Sequence, residues 1–157
     1  FITIEGTRPI AVEIQAIVAP TNFGMPRRMA MGIDTQRLNL LTAVLEKKLE
    51  IPLFSYDIYV NVAGGLKITE PASDLAIAMA IVSSFKNIPL DSDTVFIGEI
   101  GLLGEIRAVG NLESRLKEAQ NLNFKKAFIP ENKLNKILLE EVITITKLET
   151  AIGICFL

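Results

Sequence analysis

The stretch EPASDLAIAMAIVSSF, residues 70–85, predicts an α-helix that is apolar on almost every side. Pro71 suits the start of this helix, because the N–H group that proline lacks is not needed in the first turn. The helix is expected from about Ala72 to Phe85, with the charge of Asp74 favourably placed against the helix dipole. A helix without a polar face lies in the centre of a fold, so other elements are expected to surround it.

The composition predicts one packed globular domain. The chain has 157 residues, of which 50% are hydrophobic and 22% charged, with a formal net charge of -2. These values exclude disordered and low-complexity classes. The lone Cys155 cannot form an intrachain disulfide, and the lack of histidine excludes His-dependent hydrolase mechanisms and most transition-metal sites.

The location expected from the same composition is the cytoplasm, since a single cysteine fits a reducing compartment. No apolar run approaches the roughly 20 residues of a membrane span. The sequence opens at Phe1 without an initiator methionine, and we expect it to be part of a longer protein.

Strands and helices alternate on both sides of the central helix. Strands are predicted over 11–18, 57–62, 126–129 and 143–146. A β-hairpin is predicted from 94–99 and 105–109, with its turn at 101–104. Helices are predicted from a cap at Asp34 to Glu50, from a cap at Asn111, and from Leu148. An exposed loop is expected over 20–32 and a partly helical segment over 131–141. This order predicts a mixed α/β domain, with α+β character and helices packed on mixed sheets.

Five short motifs follow one another along the chain. They are AGGL at 63–66, EPASD at 70–74, GEIGLLGEI at 98–106, VGNLE at 109–113 and AFIP at 127–130. Their order and spacing resemble the proteolytic domain of the Lon family. The resemblance covers most of residues 10–157 and implies a Lon-like fold there. Residues 1–9 are then expected to connect to an upstream ATPase domain that this chain lacks.

The resemblance also identifies two positions where the catalytic residues are lost. Active Lon-family members use a serine activated by a lysine, which needs no histidine. Aligned on Pro71, the serine position is Ala72, and aligned on Leu112, the lysine position is Glu113. The resemblance therefore implies a pseudo-protease, with no enzyme activity in this part of the protein.

An alternative is a serine protease in which Ser73 is the nucleophile and a relocated lysine, such as Lys67 or Lys117, is the base. One helical step rotates a side chain by about 100°. Such a rotation turns Ser73 away from the approach that the serine of the family has. We therefore interpret Ser73 as a residue that begins the helix.

Three further segments point within the Lon-like group to one family. EGTRP at 5–9, PTNFGMPRR at 20–28 and NVAGGL at 61–66 resemble the C-terminal domain of the RadA (Sms) family of bacterial recombination proteins. This resemblance implies DNA repair, ATP-driven branch migration by a DNA-dependent ATPase or helicase, a hexameric ring, and other recombination proteins as partners. ATP, magnesium and zinc are expected in upstream domains, and no cofactor or metal in this one.

Basic side chains on predicted loops, hairpins and helix starts are the candidates for DNA contact. They are Arg8, Arg27, Arg28, Lys67, Arg107 and Arg115. Lysine and arginine bind phosphates regardless of base sequence, so single- or double-stranded DNA is the expected ligand.

Each of these residues also has a simpler interpretation, as a solvated charge or the partner of a carboxylate. Arg27 and Arg28 have an equal claim to a subunit contact, because Phe23, Met25, Met29 and Met31 make their loop apolar. An oligomerisation scaffold without DNA contact is therefore the third hypothesis.

Overall fold

A computed structural model describes residues 1–22, 24–132, 134 and 139–157 of the protein. The strands are β1 (Ile2–Glu5), β2 (Arg8–Ala11), β3 (Ile14–Pro20), β4 (Arg28–Met31), β5 (Tyr56–Val62), β6 (Thr94–Phe96), β7 (Glu99–Ile100), β8 (Ile106–Arg107), β9 (Lys126–Pro130) and β10 (Glu141–Ile145). The helices are α1 (Thr35–Leu49), α2 (Asp74–Lys86), α3 (Leu112–Asn121) and α4 (Leu148–Phe156). Residues 133 and 135–138 of the predicted partly helical segment over 131–141 lie outside the described residues, as does Phe23.

Helix α2 is the centre of the molecule, as predicted. A 3₁₀ turn, Pro71–Ser73, leads into it, and its residues 74–79 are all buried. It packs against β3 and β5 on one side, and against β6 and α4 elsewhere. Strands of two different sheets therefore pack on the same helix.

The main strands form one mixed and one parallel sheet, and together with the helices they confirm the predicted α/β class. In the first sheet the order is β3-β5-β4, with β5 antiparallel to β3 and parallel to β4. In the second sheet, β10-β9-β6, all strands are parallel. Two antiparallel hairpins, β1–β2 and β7–β8, complete the described strands.

Helix α1 packs its buried side on the first sheet. The Asp34 carboxylate accepts the N–H groups of Gln36 (2.6 Å) and Arg37 (3.1 Å), which confirms the predicted cap. Leu38, Leu41 and Leu45 form a buried stripe along this helix. The cap fixes where the helix begins and so places Arg37 one turn later.

Several local predictions were wrong or incomplete. The segment over 20–32 is not all loop, because 28–31 form β4 beside the middle strand of the first sheet. The strand predicted over 11–18 is divided between β2 and β3, and residues 94–96 pair with β9 rather than extending the hairpin. Asn111 precedes α3 as predicted, but it adopts φ 57° and its side chain makes no capping hydrogen bond. Residues 28–31 and 94–96 differ from the prediction because their pairing partners, β5 and β9, lie far away in the sequence.

Residues 1–9, expected as a connector, take part in the packed domain. Strands β1 and β2 pair from Ile2 opposite Ala11 to Glu5 opposite Arg8. Ile2 is fully buried and belongs to the same apolar cluster as Leu112 and Leu116 of α3. A connection from this hairpin to another domain stays a prediction.

No helix in the described part of the chain has the length and apolar character that a membrane crossing requires.

Candidate functional site

A groove of about 580 Å³ lies between the first turn of α1 and the segment that leads into α2. Apolar side chains line part of it, namely Ile33, Leu40, Ile68 and Ile77. Its polar and remaining residues are Asp34, Gln36, Arg37, Lys67, Thr69, Glu70, Pro71 and Ser73. The groove therefore borders the helix start where the Lon resemblance expects a catalytic serine.

The two predicted dyad positions have no catalytic side chains and lie on different helices. Ala72 is buried in the 3₁₀ turn before α2, and Glu113 is exposed in the first turn of α3. A methyl group and an exposed carboxylate supply neither a nucleophile nor a general base of the lysine type.

Ser73 is engaged in the turn that begins the helix. It is 3% exposed, and its hydroxyl donates to the carbonyl oxygen of Glu70 at 2.9 Å. Lys67 lines the same groove as Ser73, but no hydrogen bond joins them in the described structure. Lys117 lies exposed on α3. This geometry agrees with the interpretation of Ser73 as a helix-start residue.

Beneath the groove lies an ion pair that sequence reasoning missed. Asp74 is fully buried and accepts hydrogen bonds from Arg37 Nε (2.8 Å), from Arg37 Nη2, and from the Ile100 N–H (3.0 Å). Burial raises the pKa of the Asp74 carboxyl, and the Arg37 guanidinium acts against that shift. The pair joins α1, α2 and β7. An acidic residue in an otherwise apolar helix is the signal that could have predicted it, since a buried charge needs a partner.

Arg115, predicted to contact DNA, is instead a buried structural residue. Its residue exposure is 2%, and its guanidinium donates to Glu70 Oε1 (2.9 Å) and Oε2 (2.5 Å). It also donates to the carbonyl oxygens of Ile2 (2.6 Å) and Gly110 (3.0 Å). The prediction was wrong because a guanidinium with all these partners has no face left for phosphate.

Glu70, the partner of Arg115, accepts hydrogen bonds from several donors. Glu70 also accepts from the Thr3 hydroxyl (2.8 Å) and the Ile4 N–H (3.1 Å). Burial alone would raise the pKa of Glu70, but the bonds from Arg115, Thr3 and Ile4 together lower it below its ordinary value. These hydrogen bonds connect Glu70, at the groove, to the β1–β2 hairpin and to α3.

Arg28 is likewise occupied within the fold. Its guanidinium donates to the carbonyl oxygens of Tyr56, of Arg27 (3.1 Å) and of Leu53 (2.8 Å). Burial lowers the pKa of this guanidinium. Arg28 therefore connects the start of β4 to the chain before β5, and a DNA contact by this half-buried residue stays a prediction.

The remaining predicted DNA contacts are accessible, on separate elements. Arg8 begins β2, Lys67 lies beside the groove, and Arg27 precedes β4, all three exposed. Arg107 on β8 has a side chain that is 56% exposed, but it binds Glu105 at 2.6 Å and approaches Glu99 at 3.5 Å. Arg107 therefore has carboxylate partners, as the simpler interpretation of this residue expects. The accessible cations of this set are Arg8, Arg27, Lys67 and, in part, Arg107.

Comparison with known families adds a second line of evidence. Residues 11–133, well over half of the chain, match the family model described as subunit ChlI of Mg-chelatase. The chain belongs to the ChlI family. The matched range begins in β2 and ends beyond β9, so it includes the groove, α2 and the β7–β8 hairpin.

Curated relatives of this ChlI-family chain are named DNA repair protein RadA. The Helicobacter pylori (strain ATCC 700392 / 26695) protein is 53% identical over 135 residues, which are 86% of this chain and 30% of the relative. The Bacillus subtilis protein is 54% identical over 133 residues, 85% of this chain and 29% of the relative. The Streptococcus pneumoniae protein is 46% identical over 149 residues, 95% of this chain and 36% of the relative.

These matches confirm the predicted similarity to RadA at the level of sequence identity. The chain spans about a third of the length of the relatives it matches. A C-terminal position in a longer protein and a Lon-like fold stay predictions.

Proposed function

We propose that the chain is a non-proteolytic domain of a RadA-type DNA repair and recombination ATPase, which contributes hexamer assembly and DNA binding during branch migration. The observation that carries the proposal is 53% identity over 86% of the chain to a DNA repair protein RadA. The ATPase activity, with its ATP, magnesium and zinc, would belong to other parts of a longer protein. Because fold alone does not determine function, each role needs its own test.

The loss of proteolysis is supported by the side chains at the groove. Ala72 has no nucleophile, and the Ser73 hydroxyl already donates to the Glu70 carbonyl. Lys67 lines the same groove, and this observation favours the alternative of a protease with a relocated Ser–Lys pair. A fluorogenic peptide assay separates the two. We expect no cleavage; cleavage that Ser73→Ala abolishes would establish the protease instead.

DNA binding is supported by the cations that the fold leaves accessible. Arg8, Lys67 and Arg107 are exposed, whereas Arg115 is buried. In a ring of identical subunits these side chains repeat, so weak contacts act together through multivalency. Phosphate contacts by lysine and arginine give affinity that falls steeply with salt.

The decisive experiment measures binding of labelled single- and double-stranded DNA over a salt series, with light scattering on the same samples. The Arg8/Lys67/Arg107→Ala variant should bind more weakly, and its log–log salt slope should be smaller by about one for each lost phosphate contact. A matched control, Lys47/Lys86/Lys125→Ala, removes three exposed lysines elsewhere and should leave the slope unchanged. DNA binding that both variants lose equally would indicate only a general charge effect.

The scaffold hypothesis gives a different result in the same experiment. An assembled chain that binds no DNA at low salt would leave oligomerisation as its role, and would place DNA contact in other parts of the longer protein. Contacts with other recombination proteins belong to this proposal and would be measured with the longer protein.

A further inference from the structure

Phe54 is an aromatic side chain at the surface, on the short 3₁₀ turn Leu53–Ser55 that leads into β5. Its residue exposure is 68%, and of the aromatic residues that the structure describes it alone is exposed. A single exposed apolar residue is ordinary by itself. The turn that carries Phe54, and the charge beside this turn, are the observations that indicate a binding role.

The backbone on both sides of Phe54 is held in place. Leu53, directly before it, is fully buried. The Ser55 N–H and hydroxyl both donate to the carbonyl oxygen three residues earlier, at 3.1 and 3.0 Å. The Arg28 guanidinium donates to the carbonyl oxygens of Leu53 (2.8 Å) and of Tyr56. The ring is thus presented on an ordered turn, so its binding to a ligand costs little conformational entropy.

A second arginine lies beside this turn. Arg27 directly precedes Arg28 in the sequence and is exposed. The Arg27 N–H donates to Asp57 Oδ1 at 2.7 Å, and the Arg27 carbonyl oxygen accepts the Ile58 N–H at 2.9 Å. Asp57 itself is buried, and Arg28 is half-buried. Arg27 is therefore the accessible positive charge next to Phe54.

An aromatic ring next to an exposed arginine fits a single strand of nucleic acid. An unpaired base has open faces that stack on an aromatic ring, and arginine binds the phosphate joined to it. In a duplex the faces of each base are covered by the neighbouring bases, and opening that stack costs a few kcal/mol. The ring can therefore contact a base in a single strand but not in an intact duplex.

We propose that Phe54 stacks on a base of single-stranded DNA while Arg27 binds a phosphate of the same strand. The inference rests on the DNA binding proposed above, and it adds a contact to the base. Lysine and arginine contacts to phosphate hold either form of DNA, because both have the same backbone charge. Phe54 is then the residue through which this domain distinguishes an unpaired strand from a duplex.

Fluorescence anisotropy of the purified chain with labelled oligothymidine, and with a duplex of equal length, tests the contact. Phe54→Ala should weaken binding to the single strand by about 5- to 100-fold, the effect of one stacked base, and leave binding to the duplex unchanged. The salt slope should stay the same, because no phosphate contact is lost. Leu122→Ala, at an exposed apolar position elsewhere, is the control and should bind normally. Circular dichroism melting checks that both variants fold.

A fluorescent variant observes the stacking directly. The chain has no tryptophan, so Phe54→Trp introduces one at the proposed contact. Oligothymidine should quench its emission, whereas the emission of Leu122→Trp should not change. An abasic oligonucleotide of equal length keeps the phosphates and removes the bases. It should quench neither variant, and it should bind Phe54→Ala and the unchanged chain equally well.

Three results would overturn the inference. They are equal binding of oligothymidine by Phe54→Ala and the unchanged chain, an equal loss for single strand and duplex, and a loss that persists with the abasic strand. DNA binding that does not depend on Phe54 would leave the proposed function standing and would point to a protein contact for this ring. A chain that binds neither form of DNA at low salt would contradict the DNA-binding role as well.

Discussion

Glu70 shows how a single residue at the groove carries pH-dependent stability. Its pKa is lowered in the folded protein, because its bonds with Arg115, Thr3 and Ile4 outweigh the effect of burial. A carboxylate with a lowered pKa stabilises the fold above its ordinary pKa, and that contribution is lost as the pH falls through the lowered value. We therefore expect stability to decrease in acid partly through this one residue.

Glu70→Gln should remove this contribution. Urea unfolding between about pH 3 and pH 7 should show a loss of about 1–3 kcal/mol at neutral pH, from weakened bonds to the buried Arg115. The difference from the unchanged protein should shrink towards acid. Glu131→Gln, at an exposed position, is the control. If the Glu70→Gln profile runs parallel to the original at every pH, the proposed linkage is absent.

Cys155 is a half-buried thiol that we expect to react slowly in the folded protein. Burial raises its pKa to about 11. Since the thiolate is the nucleophile, a chromogenic disulfide reagent at about pH 8 should react on the order of 100-fold more slowly with the folded chain than with the urea-unfolded chain. Stopped-flow absorbance gives both rates. Equal rates would show that the thiol is open to solvent.

At the scale of elements, helix α1 depends on its cap for its starting point. Asp34→Ala leaves the N–H groups of Gln36 and Arg37 without their acceptor. We expect a loss of about 1 kcal/mol in the free energy of unfolding. Asn39→Ala, exposed within the same helix, should be neutral or slightly stabilising. Equal behaviour of the two variants in thermal melts would mean that the cap contributes nothing.

The elements also show how far the sequence predicts this molecule. Helices α1 and α2 follow from local patterns, a cap with a leucine stripe and an unbroken apolar run. Strand β4 could not be predicted, because 28–31 become a strand only by pairing with β5, some thirty residues away. The same holds at the site: the positions Ala72 and Glu113 come from the Lon resemblance, but the burial of Arg115 depends on Glu70, 45 residues away. Local periodicity carries no information on such distant partners.

The whole molecule is joined through α2, which contacts both the β3-β5-β4 sheet and the β10-β9-β6 sheet. Ala78 is fully buried on this helix, so Ala78→Leu forces extra volume into the packed core and should cost about 1–3 kcal/mol in the free energy of unfolding. Because both sheets pack on α2, backbone amide hydrogen exchange in the Ala78→Leu variant should speed up by the same factor in β5 and in β9. Ala43→Leu, at an exposed position on α1, should leave both unchanged. Faster exchange in β5 with unchanged β9 would show that the sheets unfold separately, and then α2 would belong to only one of them.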